Sequence, residues 1–339
     1  MRVTVGHARI AHHGSRSGYW RLIPALRRRV PVQWVDGERG APLPPAITRA
    51  LVGRAGVPWY DERSLAVELG MARSLLSGGS SICHALYAPD TLRYSPVARR
   101  RGRGRLVATV HQPPAKFEEV VRDKRPLQGC DAVIASSREL RDHVAAYVGE
   151  ERAFHIPLGV ESGHFTPGEP DPAVCLFVGW WLRDLDVLAA VIREVGAHEP
   201  ELRFEAVVPA HARERIEAVP GLAVAAGVSD EKLLASYRRA GMLVLPLLDA
   251  SANCALLEAA ACGLPIVTTA VGGVGDYLDG AAELVPPGDA EAMADRVLAL
   301  ARDPARRRAL GEAARRRAED HDWELIAGRH LDVYERVAG

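Results

Sequence analysis

Short apolar runs rich in Val, Ile, Leu and Ala recur along the chain and alternate with longer stretches whose apolar residues fall at helical spacing. A brief apolar run bounded by turn residues reads as a buried strand, and a three-to-four-residue period reads as an amphipathic helix. In the first half the strands are "RVTVG", "VPVQWV", "SSICHAL", "RLVATVH", "DAVIAS" and "RAFHIP". Helices are expected between them, among others at Ser64 to Ser77 and at Ser137 to Val148, the latter beginning on a serine cap. Residues 157–172, "PLGVESGHFTPGEPDP", are dense in Pro and Gly and read as an interdomain linker. The alternation then resumes with "AVCLFVG", a helix from Asp184, "RFEAVV", a helix near His211, "LAVAAG", a helix from Ser229, and "MLVLP". Two successive βαβ series of similar size predict an α/β protein with two doubly wound lobes, not one sheet of a dozen strands. From Asp289 onward the pattern is two or three Arg- and Ala-rich amphipathic helices.

Composition agrees with two lobes, because 339 residues is long for one hydrophobic core. No apolar run approaches the roughly 18 residues that a membrane-spanning helix needs. The N-terminus "MRVTVGHARI" lacks a secretory pattern, so a soluble, cytoplasmic protein is expected. Five scattered cysteines without a C-x-x-C pair suit reduced, packed thiols, with neither a disulfide framework nor zinc. Only three lysines stand beside abundant Ala and Arg, a composition associated with high-GC bacteria. Net charge is zero overall but unevenly placed: residues 1–168 carry 25 basic and 15 acidic side chains, a net of +10, and the remainder carries −10. The arginine run "ARRRGRGRL" at 98–106 reads either as a solvated helix end or as an anion site. An anionic acceptor or an acidic membrane surface could use it; no helix-turn-helix or aromatic-interleaved pattern supports nucleic acid.

One acid stands apart. Glu258 lies in "DASANCALLEAAACGLPIVTT", among small and apolar residues, in the second turn of a helix that Gly263 can terminate. A capping box fails, because the third residue after either candidate cap, Ser251 or Asn253, is Cys254 or Leu256. An i,i+4 ion pair fails too, since positions 254 and 262 are both Cys. A carboxylate only accepts hydrogen bonds, so paired hydroxyls, such as a ribose diol, suit its two oxygens. In open α/β sheets ligands bind beyond the carboxyl ends of the strands, where helix starts offer free N–H groups. The glycine turn in "AVGGVGD", with Gly272 and Gly273, offers further backbone donors there. Together these features point to a nucleotide-linked ligand.

The segment "LLEAAACGLPIVTTAVGGVGDYLDGAAELVPPGDAEAMADRV" resembles the donor-binding segment of retaining glycosyltransferases of the GT-B fold, family four. "CDAVIASSRELRDHV" with "FHIPLGVESGHFTP", "CLFVGWWLRDLDVL" and the terminal "WELIAGRHLDVYERV" are similar to other parts of that family, so the likeness spans about two thirds of the chain. It implies two Rossmann-like domains facing a cleft: residues 1–160 for the acceptor, 173–320 for the nucleotide sugar, and a last helix, 321–339, packing back on the first domain. It further implies transfer of a sugar from a nucleotide-diphosphate donor to an acceptor hydroxyl or amine, with retention, and with neither cofactor nor metal. The acceptor is left open among natural products, glycans and lipid-linked sugars.

By the same resemblance Glu258 holds the donor ribose, while the family's other acid, eight residues earlier, falls on Ala250, beside Asp249. The family's Arg and Lys for the diphosphate fall on Trp180 and Leu185, which leaves Arg183 as the nearby base. Guanidinium suits paired phosphate oxygens and would offset leaving-group charge. Gly179, Asn253, Cys254 and Ala255 complete the expected donor site with Gly272 and Gly273. His111, at a strand end in "VHQPP", is the expected contact to the donor sugar. The loop "HHGSRSGYWRL" is expected to meet the acceptor through Gly14, Arg16, Gly18 and Tyr19; the adjacent His12 and His13 make poor metal geometry. The departures at Ala250, Trp180 and Leu185 keep two other readings open: another GT-B activity, such as a nucleotide-sugar epimerase or hydrolase, and a catalytically silent nucleotide-sugar-binding partner.

Overall fold

The computed structural model describes residues 1–8, 14–79 and 81–339; His12 and His13 lie outside the described residues. The chain divides into two compact units. The first takes in the described residues of Met1–His13 with Gly18–Leu158 and Trp323–Gly339, and the second takes in Gly14–Ser17 with Gly159–Asp322.

All six runs expected in the first half form strands: β1 (Val3–Gly6), β2 (Val32–Val35), β3 (Ile82–Ala88), β4 (Arg105–Val110), β5 (Ala132–Ala135) and β6 (Ala153–His155). They pair in parallel in the order β2-β1-β3-β4-β5-β6. Chain direction across the sheet reverses between β1 and β3, which makes the carboxyl ends of those two strands the switch point of the first unit. Strands β3, β4 and β5 are near-continuously buried, as both faces of a parallel sheet require. The expected serine cap is present: Ser137 accepts the Leu140 N–H at the start of the helix Arg138–Val148. The last helix, Trp323–Ala338, belongs to this unit. Buried His84 pins it, with Nδ1 2.6 Å from Tyr334 Oη and Nε2 2.6 Å from Thr109 Oγ1. Burial lowers the His84 pKa, so the imidazole stays neutral and can serve one donor and one acceptor role.

The second unit repeats the plan with β7 (Asp171–Val178), β8 (Arg203–Val208), β9 (Leu222–Ala226), β10 (Ala240–Leu245), β11 (Ile266–Thr269) and β12 (Glu283–Val285). The order β12-β11-β10-β7-β8-β9, all parallel, is that of a dinucleotide-binding sheet, with its switch point between β7 and β10. Asp184 and Ser229 cap the helices Leu185–His198 and Asp230–Arg239. Gly263 sits at φ +73° immediately after the helix Cys254–Ala261 and its C-cap Cys262. The Leu264 N–H reaches the Ala259 carbonyl at 3.0 Å and the Gly263 N–H reaches that of Ala260 at 2.9 Å, a Schellman ending. All five cysteines are free thiols. No helix among the described residues is long and apolar enough to cross a membrane.

Two helical glycines separate backbone entropy from packing. Gly196 has open space where a Cβ would go, whereas a Cβ on Gly311 would lie 2.2 Å from the Gly263 carbonyl oxygen. Gly196→Ala is therefore expected to stabilise the fold by about 0.5 to 1 kcal/mol in urea denaturation. Gly311→Ala is expected to destabilise it by roughly 1 to 3 kcal/mol, because the opposing atom is backbone.

Candidate functional site

In the second unit, the two loops that follow β7 and β10 are tied to each other. The Asp184 N–H reaches the Pro246 carbonyl at 3.1 Å and the Leu248 N–H reaches the Leu182 carbonyl at 3.0 Å. The turn after β7 needs a left-handed backbone at Gly179 (φ +85°) and again at Leu182 (φ +53°), an unfavourable conformation for leucine. What it achieves is the placement of Arg183, only 8% exposed. Its Nε donates to the Val178 carbonyl at 3.1 Å and its Nη1 to the Trp181 carbonyl at 2.8 Å. A Cβ on Gly179 would stand 2.8 Å from Nη2, so this glycine is required both by φ and by the guanidinium beside it. Arg183 has no salt bridge among the described residues. Burial pulls its pKa down to about 10, which leaves it charged at neutral pH.

Glu258 is likewise buried, at 4% exposure. Two hydroxyls donate to it: Tyr237 Oη to Oε2 at 2.9 Å, and Ser17 Oγ to Oε1. Burial is the main cause that raises its pKa from 4.5 to about 7; the two hydroxyl donors lower it and Asp230 adds a small increase. The Tyr237 phenol is pushed up by its own burial and by Glu258, so it remains a donor. Tyr237 and Cys254 also bear on the titration of Arg183, so the phenol that donates to the carboxylate lies near the cation as well. Neither Tyr237 nor Ser17 was among the expected site residues. Local sequence offers no sign of them, since they lie 21 and 241 positions from Glu258.

Asn253 caps the Glu258 helix, its Oδ1 accepting the Leu256 N–H at 3.4 Å. Cys254 and Ala255 are the first two helical positions, whose N–H groups have no intrahelical acceptor. The glycine turn packs against the loop after β10. Gly272 (φ +45°) leaves no room for a Cβ, which would meet the Ala250 carbonyl oxygen at 2.1 Å, and the Gly273 N–H donates to that same oxygen at 2.7 Å. Ala250 is buried, and Asp249 beside it accepts the Ala250 N–H at 2.7 Å. Gly179, Arg183, Asn253, Cys254, Ala255, Glu258, Gly272 and Gly273 thus all belong to the carboxyl end of the second sheet or the helix starts beyond it.

The other expected residues are divided. Gly14 and Arg16 lie in the segment Gly14–Ser17, which groups with the second unit. Asp230 accepts the Ser15 N–H at 2.6 Å and Arg16 pairs with Glu161 at 3.0 Å. Gly18 (φ +94°) and Tyr19 belong to the first unit, as does His111. His111 is buried at the end of β4 with Nε2 2.8 Å from the Leu86 carbonyl, which puts the lone pair of the neutral ring on Nδ1. Its ring clusters with those of Tyr19 (centroids 3.4 Å apart) and Tyr87 (4.9 Å), which also meet each other edge-on at 5.9 Å. Tyr87 was not anticipated. Among the described residues no group of three His, Cys, Asp or Glu is placed to hold a metal.

Residues 172–303 match the family model "Glycosyl transferases group 1". Two curated relatives are named D-inositol 3-phosphate glycosyltransferase. That of Kribbella flavida is 29% identical over 66% of this chain and 60% of its own length; that of Geodermatophilus obscurus is 31% identical over 66% and 57%. The chain therefore spans about 60% of the length of these relatives. Among solved structures, sucrose-phosphate synthase from Thermosynechococcus elongatus superposes with a TM-score of 0.76 at 18% identity, covering 99% of both chains. A UDP-forming trehalose-phosphate synthase from Burkholderia vietnamiensis gives 0.74 at 15%, again covering 99% of both. The fold is GT-B. The residues that match the glycosyl transferase group 1 model all lie in its second unit.

Because the folded chain holds the Glu258 proton more tightly than the unfolded chain, stability falls as pH rises from about 4.5 to about 7 and is unaffected by this group below that window. The loss is of order 3 kcal/mol at most. Glu258→Gln removes it, so wild type and variant should diverge in urea denaturation between pH 5 and pH 8, the variant gaining relative stability at the higher pH. Parallel pH profiles would contradict the buried carboxylate described above.

Proposed function

We propose that this chain transfers a sugar from a nucleoside diphosphate donor to an acceptor hydroxyl or amine, with retention at the anomeric carbon and without a metal. The single observation that carries the donor half is Arg183, a buried cation held by carbonyls alone at the switch point of a nucleotide-binding sheet. A diphosphate supplies the missing counter-charge. As the glycosidic bond breaks, charge builds on the leaving phosphate, and a fixed guanidinium in a dry site stabilises that charge without reorganising. The first-turn N–H groups of Cys254 and Ala255, with the Gly272 amide, would add donors to the same oxygens.

Glu258 would take the ribose. The Ser17 hydroxyl marks where one ribose hydroxyl would sit, and Tyr237 would hold the carboxylate in place. Asn253 spends its amide oxygen on the helix cap, which leaves the amide nitrogen for the donor sugar. Gly179 would act by making room for Arg183, and His111, clustered with Tyr19 and Tyr87, would contact the donor sugar. Gly14, Arg16, Gly18 and Tyr19 would serve the acceptor. An anionic acceptor fits the +10 balance of residues 1–168, and the relatives named above act, by their names, on a polyol phosphate. With Ala250 in place of an acid, the sugar contact rests on Asn253 and backbone groups.

Calorimetry with UDP, GDP and dTDP tests the donor reading. One of the three should bind the wild type, and Glu258→Ala should weaken it roughly 10- to 100-fold through the lost hydrogen bonds to a charged group. If none binds, the reading fails; if Glu258→Ala binds equally well, the ribose role fails. Donor turnover that releases free sugar in the presence of acceptor would point to a hydrolase instead.

A further inference from the structure

At the amino ends of β10 and β11, the edge of the second sheet opposite to Arg183, lies a cavity of about 530 Å³. Its size is that of a small-ligand site. Pro167, Pro170, Leu264 and Pro265 give it apolar walls, and five arginines line it against one acid, Glu312.

The arginines divide into two sets. Arg238, Arg307 and Arg315 are fixed by backbone oxygens: Arg238 Nε on the Thr166 carbonyl at 3.1 Å, Arg307 Nη1 on that of Leu300 at 3.0 Å, and Arg315 Nη1 on that of Phe165 at 2.8 Å. A carbonyl orients a guanidinium without cancelling its charge, and of the three only Arg315 also has an acid, Glu319 at 2.7 Å. Arg308 and Arg316 form the second set. They stand four residues either side of Glu312 on the helix Pro304–Glu319, yet form no salt bridge with it or with any other described residue. Two uncommitted guanidiniums at the rim of an apolar, positively biased cavity suit the paired oxygens of a phosphate.

We infer that this cavity is a second binding site, for an organic phosphate monoester with an apolar body, separate from the nucleotide site. The apolar part packs on the proline-lined walls and the phosphate is taken by Arg308 and Arg316. Cys262 and Gly263 reach the cavity wall at the far end of the Glu258 helix, so a ligand here leaves the carboxyl edge of the sheet open. The inference does not rest on sugar transfer and is tested without it.

Phenyl phosphate is the probe, titrated calorimetrically into the full chain with and without saturating UDP. It should bind in both cases and more tightly than inorganic phosphate. The R308A/R316A double variant should lose roughly tenfold or more in affinity, R308K/R316K should fall between it and wild type, and both should keep the wild-type melting temperature. The site is refuted by no binding, by unchanged affinity in R308A/R316A, or by displacement with UDP. Equal affinity for inorganic phosphate would refute the apolar half of the inference.

Discussion

The second unit is organised around a buried positive charge with no acid to meet it. Taking a guanidinium out of water costs several kcal/mol unless its donors are satisfied and its charge is answered. The chain satisfies the donors with the Val178 and Trp181 carbonyls and leaves the charge unanswered. Around that choice the local backbone is arranged: a glycine at 179 that clears the guanidinium, a left-handed Leu182, and hydrogen bonds that tie the turn to the loop after β10. Under the proposed function, the anion that answers this cation is the diphosphate of the donor, at the switch point of a dinucleotide-type sheet.

Glu258 is the complementary half. The buried carboxylate and the buried guanidinium do not pair; the Tyr237 phenol donates to the carboxylate and also bears on the titration of Arg183. Keeping them apart preserves, on the proposed function, one acceptor for the ribose hydroxyls and one donor for the phosphates. Had they paired, each would have neutralised the feature that makes the other useful. The amino edge of the same sheet follows a different rule, with arginines around an apolar hollow.

Much of this was legible in the sequence. Every strand named from the apolar runs is present, because a parallel sheet covered on both faces requires continuous apolar segments, and the caps at Ser137, Asp184 and Ser229 stand where short polar side chains precede helices. β11 and β12 were not separately read, since such short runs beyond "MLVLP" carry little pattern of their own. The failure of every local role for Glu258 was also legible, and it pointed to the paired hydroxyls of a ribose; the donors that meet it within the fold are protein hydroxyls. Their identity was not, because Tyr237 and Ser17 meet the carboxylate only through tertiary structure. For the same reason the glycine turn looked like a ligand loop, yet Gly272 is required first by the close approach of the Ala250 carbonyl. Sequence spacing identifies which residues can approach a ligand; it does not tell which have already been used by the backbone.

The central claim is that Arg183 answers a diphosphate. The most direct measurement is a cycle of four affinities, comparing the preferred nucleoside diphosphate with its parent nucleoside on wild type and on Arg183→Ala. If the guanidinium meets the phosphates, the wild type should favour the diphosphate strongly and the substitution should shrink that preference by roughly 10- to 100-fold while nucleoside affinity stays nearly constant. A preference for the diphosphate that survives Arg183→Ala undiminished would contradict the account.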